Sequence, residues 1–175
     1  MATNATTPDK TINYRVYIDG DAYIGTGTVD LPEIAYQTDT LSGAGLAGEI
    51  ETPVIGHIQA MSMTINWRTV NKSAVGLLKT TGTTLTLRAS QQHLDNAEHS
   101  LGPRSLKIVV KTLPKKNGLG SLEMGASSGT TSEVEVTYIK IEENGEELCE
   151  IDKLNYICKI HGTDFLADVR SHLGI

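Results

Sequence analysis

The 175-residue sequence is short of cysteine, of large aromatics and of long apolar runs, and each shortage excludes a class of protein. Two thiols, Cys149 and Cys158, cannot build a disulfide scaffold and do not have Cys-x-x-Cys metal or redox spacing. Both read as buried, reduced and inert. No stretch approaches the roughly 18 to 20 apolar residues that carry a helix across a bilayer, and Met1 to Pro8 is polar rather than a charged-then-apolar export signal. A soluble chain without a membrane anchor is the expectation. Cationic charge is also scarce: 15 Lys and Arg face 21 Asp and Glu, a formal charge of −6, which argues against tight general binding to nucleic-acid phosphate.

What remains is 39% hydrophobic residues, enough for one core, together with abundant Thr and 17 Gly. Thr, Val, Ile and Tyr suit a pleated, half-buried surface, while Gly serves turns and bulges. The expectation is one mainly β domain over residues 1–175: a β sandwich or barrel-like fold with one or two short helices and long protruding loops.

Along the chain, residues 1–11 read as a flexible arm because they hold hardly a large apolar side chain. Alternation from Ile12 to Ile18 gives a strand into the Asp19-Gly20-Asp21 turn, and a second runs from Thr26 to Leu31 before Pro32. Residues 36–55 are small, Gly-rich and poor in core anchors, which predicts a long exposed loop with a task of its own. From Ile58 to Trp67 the alternation predicts a strand whose Met61, Met63, Ile65 and Trp67 face meets the core. Asn71 is placed to cap a short helix ending near Lys79. Strands are predicted over Thr83–Ser90 and Leu106–Leu113, with polar Gln91 to Ser100 between them, and over Glu133–Ile141. Residues 113–132 make a long hairpin with a mobile tip. Asn144-Gly145 signals a type I′ hairpin, Tyr156–Ile160 a further strand and Phe165–Leu173 a closing helix.

No motif amounts to an active site. Gly43-x-Gly45-x-x-Gly48 formally matches a dinucleotide fingerprint, but polar residues precede it and Pro53 follows, where a buried strand and a helix N-terminus are required. Asp19-Gly20-Asp21 lacks the remaining ligands of a calcium loop, and Gly118-Leu119-Gly120 lacks the Gly-Lys-Ser/Thr of a phosphate loop. The five His show no zinc spacing, and no Gly-x-Ser-x-Gly elbow occurs. No catalytic residue, metal or cofactor is expected. The acidic run from Glu142 to Asp152 reads as a water-facing rim. Arg104, Lys107, Lys111, Lys115 and Lys116 read either as a solvated hairpin or as a contact with an acidic neighbouring chain.

In order along the chain stand Leu31-Pro32-Glu33-Ile34, Leu41 to Ile50 with its Ser-Gly-Ala-Gly, Met63-Thr64-Ile65-Asn66-Trp67-Arg68, Asn144 to Asn155 with Glu-Ile-Asp-x-Leu-Asn, and Lys159-Ile160-His161-Gly162-Thr163-Asp164. This series resembles the major tail tube proteins of contractile-tailed phages over nearly the whole chain, and also the tubes of R-type bacteriocins. The resemblance implies a structural, non-enzymatic subunit that polymerises as stacked hexameric rings into the inner tube of a contractile tail. Such a tube passes DNA or a membrane-puncturing rod. It implies as partners further copies of the chain, the contractile sheath protein, and baseplate and tape-measure proteins, with DNA only as passing cargo. The setting is a virion tail or tail-like particle assembled in the bacterial host cytoplasm. Residues 36–55 become an inter-ring loop, with Leu41, Ser42, Gly43, Ala44, Gly45, Leu46, Ala47, Gly48 and Glu49 as contacts. Lys115, Lys116, Gly118 and Gly120 become contacts on the long hairpin, and residues 1–11 an arm ordered by assembly. The competing reading is a monomeric β-sandwich module binding carbohydrate or protein, which the scarcity of Trp and Phe disfavours for sugars.

Overall fold

The computed structural model describes residues 6–20, 22–25 and 27–175. Among them run the strands β1 (Thr6–Ile18), β2 (Ala22–Ile24), β3 (Thr28–Asp30), β4 (Tyr36–Leu41), β5 (Ile50–Ile58) and β6 (Ser62–Trp67). Helix α1 (Lys72–Gly76) follows, then β7 (Thr83–Asp95), β8 (Ser100–Gly118), β9 (Thr130–Glu143), β10 (Glu146–Asp152), β11 (Ile157–Ile160), β12 (Thr163–Asp164) and α2 (Ala167–Leu173).

Ten strands form one open sheet in the order β12-β11-β10-β9-β8-β7-β1-β2, with β3-β6 branching from β9. The branch arises because β9 changes partner along its length: Thr130 to Glu135 pair with β6, whereas Tyr138 to Glu143 pair with β10. The β3-β6 wing thereby folds over β1, β7 and β8, and the Tyr14 hydroxyl donates to the carbonyl of Gly27, just before β3, at 2.8 Å. The result is a sandwich. Strand alternation fills it: Met61, Met63 and Ile65 are fully buried, as is Val16, and Trp67 is nearly so. They meet Leu85, Val110, Val134 and Val136 in one cluster. Each such side chain is worth about 1.5–3 kcal/mol of hydrophobic stabilisation. The Trp67 indole N–H donates to Ser132 Oγ at 2.9 Å, so its one polar group is satisfied inside.

Helix α1 closes one end. Asn71 Oδ1 accepts the backbone N–H of Ala74 at 2.8 Å, the capping bond expected from its position, and Ala74 and Leu77 turn into the core. At the other end of β6, Gly56 lies against Leu166: a Cβ there would stand 2.4 Å from Leu166 Cγ, and φ is +67°. Only glycine fits at that crossing. Asn144 and Gly145 have φ of +50° and +86°, as a type I′ turn between β9 and β10 requires.

Five expectations are corrected. Residues Thr6 to Thr11 form the start of β1 and pair with β7 from Thr6↔Asp95 to Thr11↔Gln91, so they are not a flexible arm; the first five residues lie outside the described part. Ladder hydrogen bonds supply there what apolar side chains do not, and Pro8 is tolerated beside a bulge on an unpaired edge. Polar Gln91 to Ser100 is mostly strand, because β7 and β8 pair without a break from Thr83↔Thr112 to Asp95↔Ser100. The run from Ile58 to Trp67 is split, with β5 ending at Ile58 and β6 starting at Ser62. Residues 36–55, read as irregular, are a β hairpin. The long hairpin stays paired to Gly118↔Thr131, which shortens its free tip to residues 119–129.

Because Met63 has no exposed surface, Met63→Ala is expected to lower the unfolding free energy of the isolated chain by about 2–5 kcal/mol in urea titration. Asn71→Ala is expected to cost about 1 kcal/mol through the lost cap.

Candidate assembly interface

The β4-β5 hairpin stands apart as a two-stranded sheet, with register Thr38↔Pro53, Asp39↔Thr52, Thr40↔Glu51 and Leu41↔Ile50. Every residue of β4 is exposed, as are all residues from Leu41 to Glu51. Its base is closed by Gln59, whose backbone N–H donates to Ala35 O at 2.9 Å and whose side chain donates to Tyr36 O at 3.1 Å, and it meets the body where Gly56 lies against Leu166. Leu41 and Ile50 face one another across the strands with about half their surface in water, and Leu46 at the tip is 40% exposed. A lone hairpin in water is marginally stable at best. The Thr-rich alternation of Tyr36 to Leu41 was the signal for a strand, masked by the glycines that follow.

Gly43, Gly45 and Gly48 sit at this tip with nothing in the chain within 4 Å of where a Cβ would be. The dinucleotide resemblance ends here: β5, not a helix, follows these glycines, and the preceding β4 is exposed rather than buried.

The second group of expected contacts divides. Lys115 Nζ lies 2.9 Å from Glu133 across the ladder, and Lys116 is paired in register with the same residue. Gly120 has φ of +76°, and a Cβ would fall 1.8 Å from Ser128 O; at Gly118 it would fall 2.9 Å from Thr131 Oγ1. Both glycines therefore serve the chain's own turn, which Ser121 N–H to Ser128 O (2.9 Å) and Ser128 N–H to Arg68 O (2.8 Å) hold in place. Beyond them Leu122 and Met124 are almost wholly exposed, at 94% and 101%. Sequence reasoning passed over these two, although isolated large apolar residues in a Gly/Ser tip are a legible sign.

The acidic run is corrected from a water-facing rim to a cross-strand ladder. Glu142 bridges Lys107 at 2.8 Å and Lys140 at 3.2 Å; Lys140 also holds Glu147 at 3.0 Å, and Lys159 holds Glu150 at 3.0 Å. Arg104 pairs with Glu143 at 2.6 Å. The hydrogen bond from Lys107 leads in holding the Glu142 carboxyl below its ordinary pKa, and that from Lys159 does the same for Glu150. Tyr138, half-buried and donating to Glu150 at 3.0 Å, has its phenol pushed up to about 12, chiefly by burial. Asp152 is buried because it accepts from Leu154 N–H, Asn155 N–H and Asn155 Nδ2 at 2.7–3.1 Å, folding the turn into β11. Cys158 is buried and Cys149 half-buried, both as free thiols whose pKa burial raises. Among the described residues no group of three or more His, Cys, Asp or Glu is placed to hold a metal ion.

The family model described as Phage tail tube protein FII matches residues 8–174. The tail tube protein of Escherichia phage P2 is 26% identical over 178 aligned positions, covering 96% of this chain and 98% of that protein. A chain of the PVC extracellular contractile injection system, solved by cryo-EM as its sheath/tube terminator in the extended state, superposes with a TM-score of 0.52 at 13% identity. That match covers 75% of this chain and 94% of the other, and it is a likeness of fold.

The ladder makes stability depend on acid in a definite sense. Glu142, Glu150 and Asp164 all have lowered folded pKa values, so their contribution is complete above the ordinary carboxylate range of about 4, begins to be lost as pH falls into that range, and goes on being lost as pH falls through their lower folded values. Urea midpoints are expected to be level from about pH 7 to 5 and to fall below about 4.5. Glu142→Gln is expected to lower the midpoint at neutral pH and to flatten the acid slope, and a slope identical to that of the unaltered chain would contradict the ladder's role.

Proposed function

This chain belongs to the Phage tail tube protein FII family, and we propose that copies of it close into hexameric rings whose stack forms the inner tube of a contractile tail or tail-like particle. Its role in the family is structural. The observation that carries the assembly reading is the β4-β5 hairpin, an exposed two-stranded arm with Leu41, Leu46 and Ile50 in water and, at Gly48, a glycine that neither backbone conformation nor packing in its own chain requires. A surface of that composition is maintained for contact with another protein surface. Residues 41–49 act as the inter-ring contact. On the second hairpin the contact groups are Leu122 and Met124, because Lys115 is engaged by Glu133 and Gly118 and Gly120 are required by the turn.

The open sheet ends in the short strands β2 and β12, of three and two residues, and pairing these ends with neighbours around a ring removes its exposed edges. A net charge of −6 suits a wall along which a polyanion slides without sticking, so DNA is cargo. The sheath outside, and baseplate and tape-measure proteins at the tube's ends and interior, are the proposed partners; the likeness to a sheath/tube terminator chain supports a sheath around the tube. Assembly takes place in the bacterial host cytoplasm, and the product is part of a virion tail or tail-like particle. A sugar-binding module receives no support, since the single Trp is buried as Trp67.

Electron microscopy of the purified chain, alone or with the tail's own initiating complex, is expected to show rings or hollow rods. A monomer under every condition, the remaining tail components included, would defeat this reading. Gly48 has no positive φ and open space at its Cβ, so Gly48→Leu is expected to leave the melting temperature unchanged while shortening or abolishing tubes. Tubes of normal length from that variant would remove the hairpin tip from the interface.

A further inference from the structure

Charge is segregated along the sequence. Residues 16–67 contain seven Asp and Glu and not one Lys or Arg, whereas residues 68–94 contain four Lys and Arg and no acid. None of the nine ion pairs among the described residues involves any position from 16 to 94. Two oppositely charged segments thus lie side by side in sequence and do not neutralise each other within one chain.

Both segments also expose apolar side chains. The acidic one carries the β4-β5 arm, where Asp39 shares the strand face of Leu41 and Ile50 and Glu49 lies beside Ile50 toward the Leu46 tip, while Glu51 lies on the opposite face with Thr40. The basic one carries α1, whose buried face holds Ala74 and Leu77. Its other face presents Lys72, Val75, Gly76 and Lys79 at helical spacing around a shallow depression completed by Leu78. Val75 and Leu78 are 47% and 46% exposed, and Arg68 and Val70 extend the same mixed surface toward β6. The two surfaces are attached to opposite ends of the six-residue strand β6, about 20 Å apart along it.

We propose that the tip of the β4-β5 arm docks on the α1 face of a second copy of the chain, Leu41, Leu46 and Ile50 covering Val75 and Leu78 while Asp39 and Glu49 meet Lys72 and Lys79. This deepens the tube reading and rests on it, since it names the receiving surface for the inter-ring arm. Because arm and receiver are different surfaces, each docking leaves one of each unused, and the contact repeats head to tail. Opposite charges at the rim of a small apolar contact fix partner and register more than they add affinity.

The test is a charge exchange. Lys72→Glu with Lys79→Glu, Asp39→Lys with Glu49→Lys, and the chain carrying all four changes are compared with the unaltered chain under the conditions in which it assembles. Circular dichroism melting is expected to be alike for all four, because none of these side chains has an ionic partner among the described residues. Each double variant is expected to raise the critical concentration for tube formation about tenfold or more, read by sedimentation and by tube length in micrographs. The fourfold variant is expected to recover most of that loss. Full-length tubes from K72E/K79E, or a fourfold variant as defective as its parents, overturn the docking and leave the tube reading standing. Absence of tubes from the unaltered chain overturns both.

Discussion

The structure depends on one strand keeping two partners on the same edge. β9 is bonded to β8 along nearly its whole length, and on its other side it serves β6 with Thr130 to Glu135 and β10 with Tyr138 to Glu143. A flat ladder cannot do this, so the sheet divides, and the β3-β6 wing comes to lie over β7 and β8. Its inward face is then the alternating set of Met61, Met63, Ile65 and Trp67, and the opposing set on β7, β8 and β9 is Leu85, Val110, Val134 and Val136. A shift of β6 by one residue against β9 would put Ser62, Thr64 and Asn66 inside instead, so burial and register enforce each other.

The same geometry sorts the charges. On the outer face of β8, β9, β10 and β11 the register brings Lys107, Glu142, Lys140, Glu147, Glu150 and Lys159 into contact, and each finds an opposite neighbour. That part of the sheet is electrostatically closed. The charges of the arm and of α1 lie beyond the reach of this ladder, as do the apolar groups beside them. Exposed apolar surface is therefore carried on projecting elements: the arm and α1, attached to the two ends of β6, and the β8-β9 tip with Leu122 and Met124.

How far the sequence disclosed this varies with the physics of each element. The β6 face, the Asn71 cap and the Asn144-Gly145 turn were legible because each rests on local alternation, a single side-chain bond or a single backbone conformation. Strand ends were less so. Gln91 to Asp95, Ser100 to Pro103 and Thr6 to Thr11 are strand because they extend an existing ladder, and neither composition nor alternation marks that. The acidic run looked like solvated rim because its partners, Lys107 and Lys159, come from strands distant in sequence or across a turn. Of the contact residues expected from resemblance, Leu41 to Glu49 lie on an exposed arm, while Gly118 and Gly120 answer to Thr131 and Ser128 of the same chain. Gly45, with φ of +100°, and Gly120 serve turns of their own chain, whereas Gly48 has neither a positive φ nor a neighbour at its Cβ, and the three look alike until backbone and surroundings are known.

That difference bears on how assembly is controlled. The arm makes few bonds to the body at its base and exposes Leu41 and Ile50, so alone it stands near the limit at which a hairpin holds its form. Ordering such a segment costs conformational entropy, which a neighbour's surface must offset when it binds. A single docked arm gains little after that cost. In the proposed tube, copies held together in a ring would present several arms at once, and the effective concentration of each would rise when the first has docked. A weak arm therefore penalises isolated pairs of subunits far more than complete rings, and its small apolar contact and scattered carboxylates fit that requirement better than a large hydrophobic patch, which would join free subunits indiscriminately.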